Sequence, residues 1–139
     1  MNILIDTNIV LDFLLKREPH IKNAEMIFKA CKEFKINGFI AAHSIPDIFY
    51  IMRKSYTLYE LKEIIKLLAD FITIVDLTEK MILSALFEHN FSDFEDSLQD
   101  ECAQEINADF IITRNTKDFE YSKVKAIEPN EFIKNVLKS

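Results

Sequence analysis

Five short apolar runs, separated by stretches with helical spacing, constrain this chain more than any other feature. "NILID" (2–6), "FIAA" (39–42), "ITIVDL" (72–77), "DFIIT" (109–113) and the weaker "KVKAIEP" (123–129) read as strands. They are apolar without clean alternation, as strands buried on both faces are. Ile9, Val10, Phe13 and Leu14 then recur at helical spacing. Ile21, Ala24, Ile27, Phe28 and Cys31 do so over 20–35, where Gly38 is expected to stop the helix. "SIPDIFYIMRK" (44–54) opens on Ser44 as a cap, with Pro46 in the first turn. Further helices are expected over 57–71, 78–90, 92–108 and 130–138, with Thr78 and Ser92 as caps. Strands alternating with helices predict an α/β fold, a parallel sheet covered by helices on both faces.

Length and composition point to one domain over 1–139. Hydrophobic residues make up 49% of the 139, which excludes a disordered chain, and one glycine and three prolines leave no flexible linker. The opening has no basic leader and is broken by Asp6, and no run is long and uncharged enough to span a bilayer. Cys31 and Cys102 are too few and too far apart for a metal knuckle or disulfide framework. As buried thiols they fit a reducing cytosol, so a cytoplasmic location is expected. The net charge of -6 argues against a broad basic surface for nucleic acid. It leaves room for clustered acids that meet phosphates through bound cations.

In parallel sheets the ligand crevice lies beyond the carboxyl ends of the strands. Asp6, Thr7 and Asn8 follow the first run, and Ser44 and Asp47 the second. Asp93, Glu95 and Asp96 open the helix before the fourth run, and Asn115 and Asp118 follow it. Each has an ordinary structural explanation. Asp6 and Thr7 can cap a helix, Ser44 with Asp47 and Ser92 with Glu95 fit capping boxes, and Asn115 with Asp118 fits a turn. Asp93, Asp96 and Asp100 share one helical face opposite Phe94, Leu98 and Cys102, as a solvated face would. Jointly, four acid-bearing segments at one sheet edge repel unless cations sit among them. Oxygen-only ligands suit Mg²⁺ or Mn²⁺, and there is no histidine pair at zinc spacing; among His20, His43 and His89, His43 lies nearest. Such a site activates water and stabilises a leaving oxygen at phosphorus. No P-loop or glycine-rich dinucleotide turn is present.

"ILIDTNIVLDFLL", "SIPDIFYIMRK" and "FEDSLQDECAQEINADFIITRNTKDF" together resemble PIN domains, compact metal-dependent ribonucleases that include VapC-like toxins of toxin–antitoxin pairs. The resemblance spans essentially the whole chain. It implies a three-layer α/β/α sandwich, an acidic pocket for Mg²⁺ or Mn²⁺, and hydrolysis of RNA. It places Asp6 at the first family acid, Asp47 where a Glu is frequent, Asp96 at the third acid and Asp118 at the acid before the motif Phe. Thr7, Asn8 and Thr113 match family positions too, and Asp93 is a further ligand candidate. Two departures stand out: Asp47 is one methylene shorter than Glu, and Asn115 is uncharged where many members carry an acid. The expectation is a metal pair of Asp6 and Asp96 with Asp47 handling the water, and Asp118 completing the catalytic set. Arg114 and Lys117 are expected to contact RNA, with Lys16 and Arg17 near the same edge and Arg53 and Lys54 further along the third helix. A cognate antitoxin and a homodimer through Leu58, Leu61, Ile64, Ile65 and Leu68 are expected as partners. The alternative is a PIN-like binding module with weakened catalysis.

Overall fold

The computed structural model describes residues 1–138. Strands β1 (Asn2–Ile5), β2 (Asn37–Ala41), β3 (Ile72–Val75), β4 (Phe110–Ile112) and β5 (Ala126–Ile127) form one parallel sheet in the order β3-β2-β1-β4-β5. The chain lays β2 and β3 on one side of β1, then returns to lay β4 and β5 on the other. The reversal therefore falls between β1 and β4, where Ile3 pairs with Phe110, Leu4 with Ile111 and Ile5 with Ile112. A crevice is expected beyond their carboxyl ends.

Helices α1 (Thr7–Leu14), α2 (Ile21–Lys32), α3 (Ser44–Met52), α4 (Leu58–Leu68), α5 (Glu79–Phe87), α6 (Phe94–Glu105) and α7 (Pro129–Phe132) complete the sandwich. A 3₁₀ turn spans Thr116–Phe119, and wider helical turns over Ile133–Leu137 follow α7. Ile3, Ile5, Ile40 and Ile112 pack into one core with Ile9, Phe28, Ile48 and Phe132. Leu4, Ala41, Val75 and Ile111 pack into the other with Met81, Cys102 and Phe119. Both faces of the central strands are thus dry, which is why their sequence does not alternate. Each fully buried Ile or Leu contributes about 1.5–3 kcal/mol of transfer free energy.

Three local expectations are corrected. Gly38 does not stop α2; it lies inside β2. The helix ends at Lys32 and the chain turns through Phe34 at a φ of 58°. A Cβ on Gly38 would stand 2.6 Å from both Cys31 Sγ and Ile72 Cδ1, so β2 needs the bare backbone where α2 and β3 press in. Ser44 does not cap α3, since it is helical and its hydroxyl is buried elsewhere. Ser92 does not cap α6; Asp93 does, accepting from the Asp96 amide at 3.2 Å. Thr78 caps α5 as expected, and Thr57 with Glu60 forms a capping box on α4. On α4, Leu61 and Leu68 belong to the core, while Leu58 and Leu67 are exposed. Cys31 and Cys102 are buried free thiols, each pushed up to about 12 by burial. Among the described residues no helix is long and apolar enough to cross a membrane.

Candidate active site

A cleft of about 430 Å³ opens at the carboxyl ends of β1 and β4 and gathers Asp6, Asp47, Asp93, Glu95, Asp96 and Asp118, with Asn115 among them. The local sequence explains the convergence. Asp6 terminates β1 in an extended conformation and caps α1, accepting from the Thr7 amide at 2.8 Å through Oδ1. Its other oxygen accepts from Thr113 Oγ1 at 2.9 Å, and Thr113 Oγ1 in turn accepts from the Asn115 amide at 3.0 Å. The end of β4 thereby fixes the carboxylate that ends β1.

Two helix starts and the middle of a third helix are clipped together at the cleft. Thr7 Oγ1 and Ser44 Oγ lie 2.7 Å apart, and Gln99 Nε2 donates to Ser44 Oγ at 3.1 Å and to Thr7 Oγ1 at 3.4 Å. This buried knot joins α1, α3 and α6, the helices that carry Asn8, Asp47 and Asp96. Gln99 Oε1 is buried without a hydrogen-bond donor among the described residues. An orphaned buried acceptor is costly unless something donates to it or coordinates it.

The electrostatics have the same shape. Burial pushes the Asp6 carboxyl above the usual range, against the bonds from Thr113 and Thr7 and the charge of Arg114, which pull it down. Burial together with Asp93, Asp6, Asp118 and Glu95 pushes Asp96 up to about 7. Burial, then Asp47 and Asp93, raises Glu95, whose carboxyl lies beside that of Asp47. The lining charges are thus one-signed and mutually destabilising. The donor set, oxygen throughout, suits a hard divalent cation, and the orphaned Gln99 oxygen suits either that ion or its water. Among the described residues no three His, Cys, Asp or Glu side chains form a ready-made ligand group, so a cation would have to draw the walls together.

Most residues singled out from the sequence meet here: Asp6, Thr7, Asn8, Asp47, Asp93, Asp96, Asn115 and Asp118 line the cleft, and Thr113 supports it from below. Arg114 and Lys117 do not line it. Arg114 turns away to Asp12, with Nε 2.8 Å from Oδ2 and Nη2 3.2 Å from Oδ1, and Arg17 approaches the same carboxylate at 3.6 Å. Lys117 is exposed on the 3₁₀ turn. His43 packs beside Asp47 and the Glu95 backbone without a well-formed hydrogen bond, and burial lowers its pKa. Asp100 leaves the face it shares on the wheel: it is buried, holding Ser122 Oγ and the Lys123 amide. Glu95, named with Asp93 and Asp96 at the start of this helix, also lines the cleft, whereas sequence reasoning missed Gln99, Tyr50 and Ile51. Helical spacing carried the signal, since Gln99 is three residues from Asp96, and Tyr50 and Ile51 are three and four from Asp47.

The chain matches the family model described as PIN domain over residues 2–117. A comparison with curated protein sequences gives no significant match. Among solved structures, a toxin–antitoxin complex from Klebsiella pneumoniae aligns at 20% identity and a TM-score of 0.65, covering 91% of this chain and 96% of that one. VapBC-1 from nontypeable Haemophilus influenzae aligns at 18% and 0.64, covering 94% and 99%. VapBC2 from Rickettsia felis, bound to a DNA fragment from its promoter, aligns at 18% and 0.61, covering 92% and 98%. At these identities the likeness is one of fold, and it agrees with the parallel-sheet α/β architecture described above. With the family model covering most of its length, the chain belongs to the PIN domain family.

Proposed function

We propose that this chain is an endoribonuclease that hydrolyses RNA phosphodiester bonds with Mg²⁺ or Mn²⁺ held by Asp6, Asp96 and Asp47. The observation that carries the reading is the gathering of acids from α1, α3, α6 and the β4 loop in one cleft, with Asp96 raised to about 7. When bound, the cation supplies charge neutralisation at phosphate and a more acidic water. Asp6 is held at fixed orientation by Thr7 and Thr113, so it anchors the site. Asp47 accepts a hydrogen bond from the attacking water and aims it. Asp118 and Asp93 complete the negative wall, and Asn115 offers an uncharged oxygen. Tyr50 is exposed at the rim with the Arg53 guanidinium 3.7 Å over its ring centroid, an aromatic and a cation where an unstacked base can lie.

The solved relatives described as VapBC or toxin–antitoxin complexes support a role as the toxin of such a pair, with a small antitoxin as partner. Exposed Leu58 and Leu67 on α4 support a homodimer. The alternative, a binding module with weakened catalysis, rests on Asp47 and Asn115 standing where stronger ligands are common in the family. One experiment separates the two: incubation of the chain and of its Asp6→Asn variant with a panel of RNAs, with Mn²⁺ and with EDTA. Cleavage that needs both the cation and Asp6 supports the nuclease. Intact RNA with the wild-type chain in Mn²⁺ refutes it.

A further inference from the structure

A second polar cavity, about 420 Å³, adjoins the acidic cleft, and Asn115 lines both. Its other polar walls are His20 and Asn23 from the start of α2, Arg114 from the β4 loop, and Glu128 and Asn130 from the start of α7. Building on the nuclease reading, we propose that this groove is the subsite for the nucleotide beside the cleaved phosphodiester of a single-stranded RNA.

Three features carry the inference. The first is continuity: a strand whose phosphate lies in the acidic cleft passes over Asn115 directly into the groove. The second is charge. Arg114 and Arg17 share the single buried carboxylate of Asp12, so this corner sets two guanidinium groups against one carboxylate in a chain whose net charge is -6. Asp12 holds Arg114 by Nε and Nη2, so Nη1 stays available at a fixed position for a phosphate oxygen. The third is the lining. Asn23, Asn115 and Asn130 all line the groove, and their side-chain amides carry the donors and acceptors that read the edge of an unstacked base. Glu128 accepts only, so it suits an N–H on a base edge and would repel phosphate. Pro19 and Pro129 add apolar wall for the face of the ring. The volume lies within the roughly 300–1,000 Å³ typical of small-ligand pockets.

The test uses the Asn23→Ala, Asn130→Ala double variant, both positions being at the surface and outside the acidic cleft. Cleavage is measured in Mn²⁺ on single-stranded RNAs that vary the base on either side of the cut, and on a small activated phosphodiester that cannot reach the groove. The expected result is a loss of about tenfold or more in kcat/KM on RNA, with flattened preference at one flanking position and unchanged hydrolysis of the small diester. Unchanged RNA cleavage and preference would overturn the subsite. In parallel, a phosphorothioate oligoribonucleotide is titrated in Mg²⁺ while the side-chain amide NMR signals of Asn23 and Asn130 are followed. If the wild-type chain cleaves no RNA but these amides shift, the groove stands as a nucleotide-binding site for single-stranded RNA and the nuclease reading falls. If it cleaves and they do not shift, the subsite alone falls; if neither happens, both fall.

Discussion

Thr113 Oγ1 donates to Asp6 Oδ2 at 2.9 Å across the join between β1 and β4, so the hydroxyl that ends one strand orients the carboxylate that ends the other. Replacing Thr113 by Val keeps the shape and removes both this donor and the acceptor for the Asn115 amide. The expected cost is about 1–3 kcal/mol, typical of buried polar groups left unpaired. Because the Thr113 bond lowers the Asp6 pKa, its loss should, under the proposed function, also move the acid limb of the cleavage profile to higher pH. Thr113→Ser should restore both. A Thr113→Val profile that overlays the wild type would show that the bond does not tune Asp6.

Asp6→Asn removes the charge but retains an oxygen that can accept from the Thr7 amide. Since burial disfavours the Asp6 anion, the variant should melt no lower than the wild type. Under the proposed function its cleavage rate should fall at least about a hundredfold, because the cation loses its anchor. Retained cleavage with an unchanged melting temperature would remove Asp6 from the chemistry.

The Asp96 carboxyl stands at about 7 against an ordinary 3.8. Between about pH 4 and 7 the folded chain therefore holds more protons than the unfolded one. The sign follows: without metal, stability falls as pH rises through that window, and the penalty is complete above it. A divalent cation replaces the proton, so it should raise the melting temperature more at about pH 8 than at about pH 5. Calorimetry with Mn²⁺ and with EDTA at both pH values checks this. An equal or larger gain at the lower pH would contradict it.

Sheet and site were legible to different depths. The alternation of apolar runs and helical stretches carried the layers, because burial on both faces leaves a plain mark on β1, β2 and β4. The acids after each strand carried the cleft, because a parallel sheet sends every strand end to one edge. What stayed hidden depends on partners distant in sequence. Ser44 looks like a cap but meets Thr7 and Gln99. Asp100 looks solvated but is enclosed by the segment around Ser122. Gly38 looks like a stop signal, yet its role is set by Cys31 and Ile72 pressing on β2. Arg114 looks like a free cation, and only the fold brings it to Asp12.

That pairing has an asymmetry that mutation can read. The Asp12 side chain is 1% exposed, whereas those of Arg114 and Arg17 are 30% and 33% exposed. Arg114→Ala leaves a buried carboxylate with only the longer Arg17 contact, and should cost about 3 kcal/mol. Asp12→Ala leaves two guanidinium groups that water can reach, and should cost less. The double variant should be no worse than Arg114→Ala alone. Urea denaturation of all three gives the answer. Asp12→Ala proving the most damaging would mean that the aspartate does more than neutralise Arg114.

Gly38→Ala tests the packing of β2 directly. The added methyl would meet Cys31 Sγ and Ile72 Cδ1 at 2.6 Å, closer than carbon and sulfur tolerate. Cys31 belongs to a helix packed on one face of the sheet and Ile72 to the neighbouring strand, so neither side can yield freely. Overpacking of this kind costs about 1–3 kcal/mol. Cys31→Ala should remove one clash and recover part of the loss when combined with Gly38→Ala, although it opens a small cavity by itself. The cleft lies at the far end of β2, so the chemistry of the acidic residues should survive in the folded fraction. Equal stability of Gly38→Ala and wild type in urea would show that the strand shifts to make room.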